Sequence, residues 1–134
     1  MFPQTGEQQS LPPNIMVISD APDLLLLFTY ALRDQGYEVR GIKDGLEGIE
    51  QCIAAPPDIL IVQYHMDTID AVRICRRIRS DPKVSKLPIL VFQVFRERDF
   101  QPTLLAGATA CFGYPFDIGD ILAQITAICT KGRQ

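Results

Sequence analysis

The chain of 134 residues has no long hydrophobic run and no strong excess of one charge. No apolar stretch approaches the roughly 18 residues that span a bilayer. Residues 1–13 lack the basic and apolar regions of a secretory signal. The formal net charge of −3 supplies no general attraction to nucleic acid or to an anionic membrane. We therefore expect a cytoplasmic protein with neither nucleic acid nor membrane as a partner.

The sequence is also poor in residue patterns that bind metals or form disulfides. Its cysteines form no C-x-x-C pair and lie in apolar stretches, which predicts buried free thiols. His65 has no cysteine or glutamate at metal-ligand spacing, so we predict no metal site there. The four cysteines are Cys52, Cys75, Cys111 and Cys129.

Short apolar runs alternate with longer segments of helical spacing from Asn14 onward. This alternation predicts a parallel β-sheet with crossover helices, and the nearly continuous apolar strands indicate helices on both faces. The fold class is therefore α/β, a three-layer sandwich around a five-stranded parallel sheet. We expect one domain over residues 14–130, a flexible N-terminal tail over 1–13 and a short C-terminal tail over 131–134.

The predicted strands are Ile15–Ser19, Tyr37–Ile42, Ile59–Tyr64, Ile89–Gln93 and Ala110–Gly113. The predicted helices are 23–35, 45–54, 70–80, 102–106 and 117–130. Asp23 is expected to cap the first helix and Gly36 to end it. Val72, Cys75 and Ile78 are expected on the buried stripe of the third helix. Pro102 is expected to open the fourth helix, after an irregular loop over Phe95–Gln101, because an internal proline costs about 3 kcal/mol.

Polar residues cluster where the predicted strands end, which is where ligands of an open parallel sheet gather. They are Ser19, Asp20, Gln63, Gln93 and Tyr114. The turn after the first strand is acidic rather than glycine-rich, which argues against a nucleotide cofactor. Gln63, Gln93 and Tyr114 could line a pocket for a small polar ligand or hydrogen-bond to one another. The second arrangement is favoured, since buried polar groups usually satisfy each other.

Seven segments, in order from Asn14 to about Cys129, make the chain resemble the receiver domain of bacterial response regulators. The segments are Val17–Asp23, Gln35–Val39, Pro57–Val62, Arg76–Arg79, Leu87–Ile89, Ala106–Ala108 and Tyr114–Phe116. The resemblance implies the strand order 2-1-3-4-5 and a role in two-component signal transduction, within or beside a phosphorelay.

The resemblance also implies functional positions, and this sequence departs from the family at most of them. Receivers carry two acidic residues after the first strand to hold Mg²⁺, and here Ser19 and Asp20 stand there. The phosphoaccepting aspartate falls on Gln63, the strand-four hydroxyl residue on Gln93 and the lysine on Tyr114. Phosphoryl transfer needs a carboxylate nucleophile, a held cation and a neutralising charge, so we expect a degenerate pseudo-receiver without catalysis, cofactor or metal.

The first helix is unusually apolar, since Leu24–Phe28 are all hydrophobic and Tyr30 follows Leu26 by one turn. This predicts an interaction face at Leu26, Tyr30 and Ile118 for a second copy or a signalling protein. A wider stripe buried under the N-terminal tail is the alternative. The arginines of the third helix are read as a solvated face.

The sequence thus predicts a phosphorylation-independent protein-interaction module. Two other functions remain open at this point. One is a small-molecule-sensing domain that uses the vacated phosphorylation pocket, and the other is an active receiver in which Asp67 is a displaced acceptor.

Overall fold

The computed structural model describes residues 12–95 and 99–132. Its centre is one parallel sheet with strand order β2-β1-β3-β4-β5. The strands are β1 (Asn14–Ile18), β2 (Glu38–Ile42), β3 (Ile59–Gln63), β4 (Ile89–Phe92) and β5 (Ala110–Phe112). The helices are α1 (Pro22–Asp34), α2 (Gly45–Ala54), α3 (Ala71–Arg79), α4 (Gln101–Leu105) and α5 (Ile118–Gly132). The α/β class, the five parallel strands and their order are confirmed.

Two apolar clusters, one on each face of the sheet, make the fold a three-layer sandwich. Successive strand residues point to opposite faces, so Met16 and Ile18 join one cluster while Ile15 and Val17 join the other. The first cluster packs beneath α2 and α3, and the second packs beneath α1 and α5. Each strand of the centre is therefore buried on both faces, which is why these strands read as continuous apolar runs.

The ends of α1 differ in part from expectation. The helix begins at Pro22, and Ala21 precedes it without a side-chain capping bond, so the prediction that Asp23 caps α1 is wrong. Proline suits the first turn because its missing N–H would have no partner there. Asp23 lies in the first turn, where its charge still complements the helix dipole. Gly36 has a φ of 93°, the left-handed conformation predicted for the residue that ends the helix.

The buried stripe of α3 consists of Ala71, Ile74, Cys75 and Ile78. Val72 is only half-buried, so its predicted place on the stripe is wrong. It lies one residue, or about 100° around the helix, from Ala71. Pro102 lies in the first turn of α4, but the helix begins one residue earlier, at Gln101, which was predicted to end the preceding loop.

Residues 131 and 132 belong to α5, which corrects the predicted end near Thr130 and the C-terminal tail that was expected from residue 131. Residues 1–11 of the N-terminal tail predicted over 1–13, residues 96–98 of the predicted loop and residues 133–134 of the predicted C-terminal tail lie outside the described residues. In the part of the chain that the structure describes, no helix combines the length and the apolar character needed to cross a bilayer.

None of the four cysteines forms a disulfide, as predicted, but only Cys52 and Cys75 are fully buried. Cys111 and Cys129 are half-buried, which corrects the expectation for these two. Burial raises the pKa of Cys52 to about 11 and the pKa of Cys75 to about 12. Both thiols are therefore protonated at neutral pH and are poor nucleophiles.

Arg79 joins the end of α3 to the turn before β5. Its guanidinium donates from Nε and Nη2 to the carbonyl oxygen of Gly107, at 3.0 and 2.7 Å. Its Nη1 donates to the carbonyl oxygen of Ser85 at 3.1 Å. Gly107 has a φ of 116°, and a Cβ there would lie 2.7 Å from Cγ of Arg79. Both the backbone conformation and the close approach therefore require glycine.

The substitution Gly107→Ala is expected to lower the free energy of unfolding by about 2–4 kcal/mol, as backbone strain and overpacking add. Gly36→Ala is the matched control, because its φ of 93° gives similar strain while nothing lies within 4 Å of the added Cβ. We expect the control to lose about 1–2 kcal/mol in urea denaturation. Equal losses in the two variants would contradict the role given to Arg79.

Candidate functional site

The carboxyl ends of β1 and β3 bring Ser19, Asp20 and Gln63 together. Because β1 lies beside β3 in the sheet, residues that follow the ends of these strands meet although they are 44 positions apart. Ser19 is 0% exposed and Gln63 is 4% exposed, whereas Asp20 is half-buried. The polar side chains of Ser19 and Gln63 must therefore find partners within the protein.

The Gln63 amide makes three hydrogen bonds. Its Oε1 accepts from Oγ of Ser19 at 2.6 Å. Its Nε2 donates to Oδ1 of Asp20 at 3.1 Å and to the main-chain oxygen of His65 at 2.6 Å. A carboxylate and a carbonyl can only accept, so the amide nitrogen has to face them, and the partners fix the orientation of the amide.

Asp20 extends this network to the loop between β3 and α3. Its second oxygen, Oδ2, accepts from the backbone N–H of Asp67 at 3.2 Å. Ser19 Oγ also accepts from the backbone N–H of Ala21 at 3.2 Å. The turn after β1 and the loop after β3 are thus joined through side chains. Sequence reasoning found Ser19, Asp20 and Gln63 but missed the carbonyl of His65, since no side-chain pattern marks a main-chain acceptor.

Gln93 and Tyr114 do not join this network, so the prediction that they hydrogen-bond to Gln63 is wrong. Gln93 is 1% exposed, and neither of its amide atoms has a hydrogen-bond partner among the described residues. Gln93 follows Ile89 and Val91 at two-residue spacing, and these residues face α2 and α3. Gln63 follows Ile59 and Ile61 at the same spacing, and these residues face α1 and α5. Tyr114 is 47% exposed. The two glutamines therefore leave the strands toward different faces of the sheet.

An open cleft of about 560 Å³ lies beside the Gln63 network. Its lining combines polar and apolar residues, and Gln93 and Tyr114 are not among them. The lining residues are Asp20, Ala21, Leu24, Gln63, His65, Met66, Asp67, Val94 and Phe95. The ring of His65 contacts the rings of Tyr64 and Phe95, with centroids 4.8 and 5.9 Å away. The carboxylates among the described lining residues are those of Asp20 and Asp67.

The residues of this site do not fit a magnesium ion. Mg²⁺ takes oxygen ligands in near-octahedral geometry at about 2.1 Å. Both carboxylate oxygens of Asp20 accept from N–H groups, and Gln63 directs an N–H at Asp20, where a cation would be repelled. Over residues 12–95 and 99–132, no group of three histidine, cysteine, aspartate or glutamate residues could hold a metal ion.

The predicted interaction face is exposed on α1 but not on α5. Leu26 is 56% exposed and Tyr30 is 69% exposed, as the sequence led us to expect. Ile118 is half-buried and packs against the cluster that contains Ile121 and Ile125, so its predicted place on the face is wrong. Leu105 on α4 is 77% exposed and was missed, because five helical residues give too short a pattern.

Residues 15–126 match the response regulator receiver domain family. The chain is 29% identical over 122 residues to the phosphate regulon transcriptional regulatory protein PhoB of Rhizobium meliloti, covering 90% of this chain and 54% of that protein. It is 33% identical over 102 residues to the transcriptional regulatory protein CseB of Streptomyces coelicolor, covering 75% of this chain and 42% of that protein. The chain thus spans about half the length of the curated relatives it matches.

Solved structures share the fold at lower sequence identity. The chemotaxis protein CheY4 of Vibrio cholerae has a TM-score of 0.79 at 22% identity, with 87% of this chain and 98% of that chain covered. The receiver domain of a sensor histidine kinase from Pseudomonas aeruginosa, solved with magnesium in its active site cleft, has a TM-score of 0.78 at 19% identity. That comparison covers 87% of this chain and 96% of the other.

The two buried glutamines are expected to respond oppositely to the same substitution. Gln63→Met should lower the free energy of unfolding by about 2–3 kcal/mol, because it removes hydrogen bonds and leaves the buried Ser19 hydroxyl without its acceptor. Gln93→Met should raise the free energy of unfolding by about 1 kcal/mol, because it replaces an unpartnered buried amide by an apolar chain of similar shape. Denaturant unfolding of both variants measures the contrast, and the opposite order would contradict it.

Proposed function

We propose that this chain, which belongs to the response regulator receiver domain family, acts in two-component signalling through protein association without being phosphorylated itself. The observation that carries the proposal is Gln63 at the end of β3, where the family resemblance implies a phosphoaccepting aspartate. An aspartyl phosphate forms when a carboxylate attacks the phosphoryl group. A neutral amide lacks this nucleophile.

The neighbouring residues support the same proposal. Phosphoryl transfer is catalysed mainly by positioned charge, which a divalent cation and a positively charged side chain supply in this type of reaction. Ser19 supplies a hydroxyl in place of a carboxylate, and Asp20 is already bonded to Gln63 and Asp67. Tyr114 carries no positive charge at neutral pH. We infer that the site lacks the carboxylate nucleophile and the positively charged side chain, and that its set of metal ligands is reduced.

The proposed partner is a protein, either a signalling protein such as a kinase or a second copy of this chain. Exposed apolar side chains on α1 support an association surface. Arg73, Arg76 and Arg77 are exposed on α3, but the chain as a whole carries a net charge of −3. A nucleic-acid partner is therefore not proposed.

A phosphorylation assay tests the proposal. Incubation with acetyl phosphate and Mg²⁺ is expected to leave the intact mass of the wild type unchanged over time, because no carboxylate stands at position 63. The triple variant Ser19→Asp, Gln63→Asp and Tyr114→Lys, checked for folding by circular dichroism, restores the acidic pair, the acceptor aspartate and the lysine implied by the family and serves as the positive control.

The variant Asp67→Asn distinguishes the displaced-acceptor alternative. A time-dependent gain of one phosphoryl group in the wild type that disappears in Asp67→Asn would establish Asp67 as the acceptor. A gain that persists in this variant would place the acceptor elsewhere. Either result would refute a phosphorylation-independent role.

The cleft beside Gln63 supports a second candidate function, the sensing of a small molecule. The carboxylate of Asp67 and the apolar side chains of the cleft suit a cationic molecule with an apolar part. A ligand of this kind should raise the melting temperature of the wild type and not that of Asp67→Asn. The absence of any shift across a library of small amines would argue against sensing.

A further inference from the structure

The exposed stripe of α1 is arranged symmetrically about Phe28. Asp23, Leu26, Tyr30 and Arg33 are all exposed and follow one another at spacings of three, four and three residues. Residues at these spacings share one side of a helix. The stripe therefore has an acid near the start of α1, two large apolar side chains in the middle and a base near the end.

We propose that α1 packs against α1 of a second copy, antiparallel, with a two-fold axis that crosses the exposed side of α1 at the level of Phe28, whose own side chain faces the core. Leu26 and Tyr30 lie two residues before and after this position, so Leu26 meets Tyr30 of the second copy. Asp23 and Arg33 lie five residues before and after it, so Asp23 meets Arg33 of the second copy. Two-fold symmetry makes each contact twice, which gives two apolar pairs at the centre and an ion pair at each end.

Charge complementarity identifies a second copy as the occupant. The end of α1 exposes Asp34 as well as Arg33, so the complementarity lies in one pair of side chains. An antiparallel arrangement brings Asp23 of one helix to Arg33 of the other, whereas a parallel two-fold pair would oppose Asp23 with Asp23 and Arg33 with Arg33. Among the residues that the structure describes, the guanidinium of Arg33 makes one long hydrogen bond, from Nη2 to the carbonyl oxygen of Val39 at 3.5 Å. It is therefore available to a carboxylate from outside.

The surface beside α1 extends the contact. Phe28 of α1 stacks on Phe116, just before α5, with ring centroids 5.9 Å apart, and a groove between the ends of both helices includes Gln35 and Thr126. The exposed residues in the middle of α5 are small and uncharged, namely Ala123, Thr126 and Ala127. The 13 residues of α1 make a helix about 20 Å long. The surface of α1 alone is therefore smaller than the roughly 800 Å² that each partner buries in a stable complex. The neighbouring α5 surface supplies further area without opposing like charges.

Sedimentation velocity over a wide concentration range tests this arrangement first. The wild type should form a dimer, and Leu26→Glu should raise its dissociation constant at least tenfold, because it buries a charge at the centre of the contact. Leu105→Glu is the matched control, since Leu105 is 77% exposed but lies on α4. A wild type that stays monomeric throughout, or a dimer that only Leu105→Glu disrupts, would overturn the proposal.

Charge reversal tests the antiparallel register. Asp23→Arg and Arg33→Asp should each raise the dissociation constant several-fold, since each opposes like charges at both ends of the pair. The double variant exchanges the charges and should restore the wild-type constant to within about twofold at low salt, with all differences shrinking at high salt. Single reversals that leave the dissociation constant of the dimer unchanged would overturn the register. A double variant whose dissociation constant is no lower than those of the single variants would overturn it as well.

This inference deepens the proposed function by naming the partner, and it rests on the claim that association is the output of the domain. The mass measurement detects association and not phosphate. A monomer that takes up no phosphate would refute the dimer alone, whereas a dimer that is phosphorylated would refute the phosphorylation-independent role alone.

Discussion

The side chain of Gln63 accepts a hydrogen bond from Ser19 and donates two, to Asp20 and to the carbonyl of His65. These bonds hold the ends of β1 and β3 to the loop that leads into α3. A buried amide of this kind is stable only when its partners are in place, so the arrangement of the strand ends and the composition of the site depend on each other. The same network engages both carboxylate oxygens of Asp20.

Gln93 is a buried amide whose side chain lacks such hydrogen-bond partners, and this lowers the stability of the fold. Its amide is as buried as that of Gln63, yet it faces the other side of the sheet and has no partner among the described residues. Desolvation of an unpartnered amide costs on the order of 1–3 kcal/mol. Burial of the apolar side chains of the surrounding strands β3 and β4 offsets this unfavourable free energy.

Three regions of the surface have different electrostatic character. The cleft beside Gln63 is acidic, α3 presents exposed arginines, and the middle of α1 presents Leu26 and Tyr30 with no charge between them. A two-fold interface brings identical surfaces together, so a surface dominated by one charge would repel its own copy. The acid-to-base order along α1 is instead complementary to itself in the antiparallel direction.

The sequence by itself determined the elements of the fold. Apolar periodicity located five strands and five helices to within one or two residues, and Pro102 and Gly36 marked helix ends to within one residue because these residues restrict or permit particular backbone angles. The positions Ser19, Asp20 and Gln63 followed from the rule that polar groups gather at strand ends. The strand order came from the resemblance to receivers, since periodicity does not say which strands are neighbours.

Only the tertiary structure decided which polar groups meet. Gln63 bonds Ser19 rather than Gln93 because β1 and β3 are adjacent and both side chains continue the alternation toward α1 and α5. Ile118 is half-buried for a similar reason, since its exposure depends on how α5 lies on the sheet. A one-dimensional pattern specifies which residues favour burial, but hydrogen bonds between residues 44 positions apart are set by strand neighbours and by the face to which each side chain points.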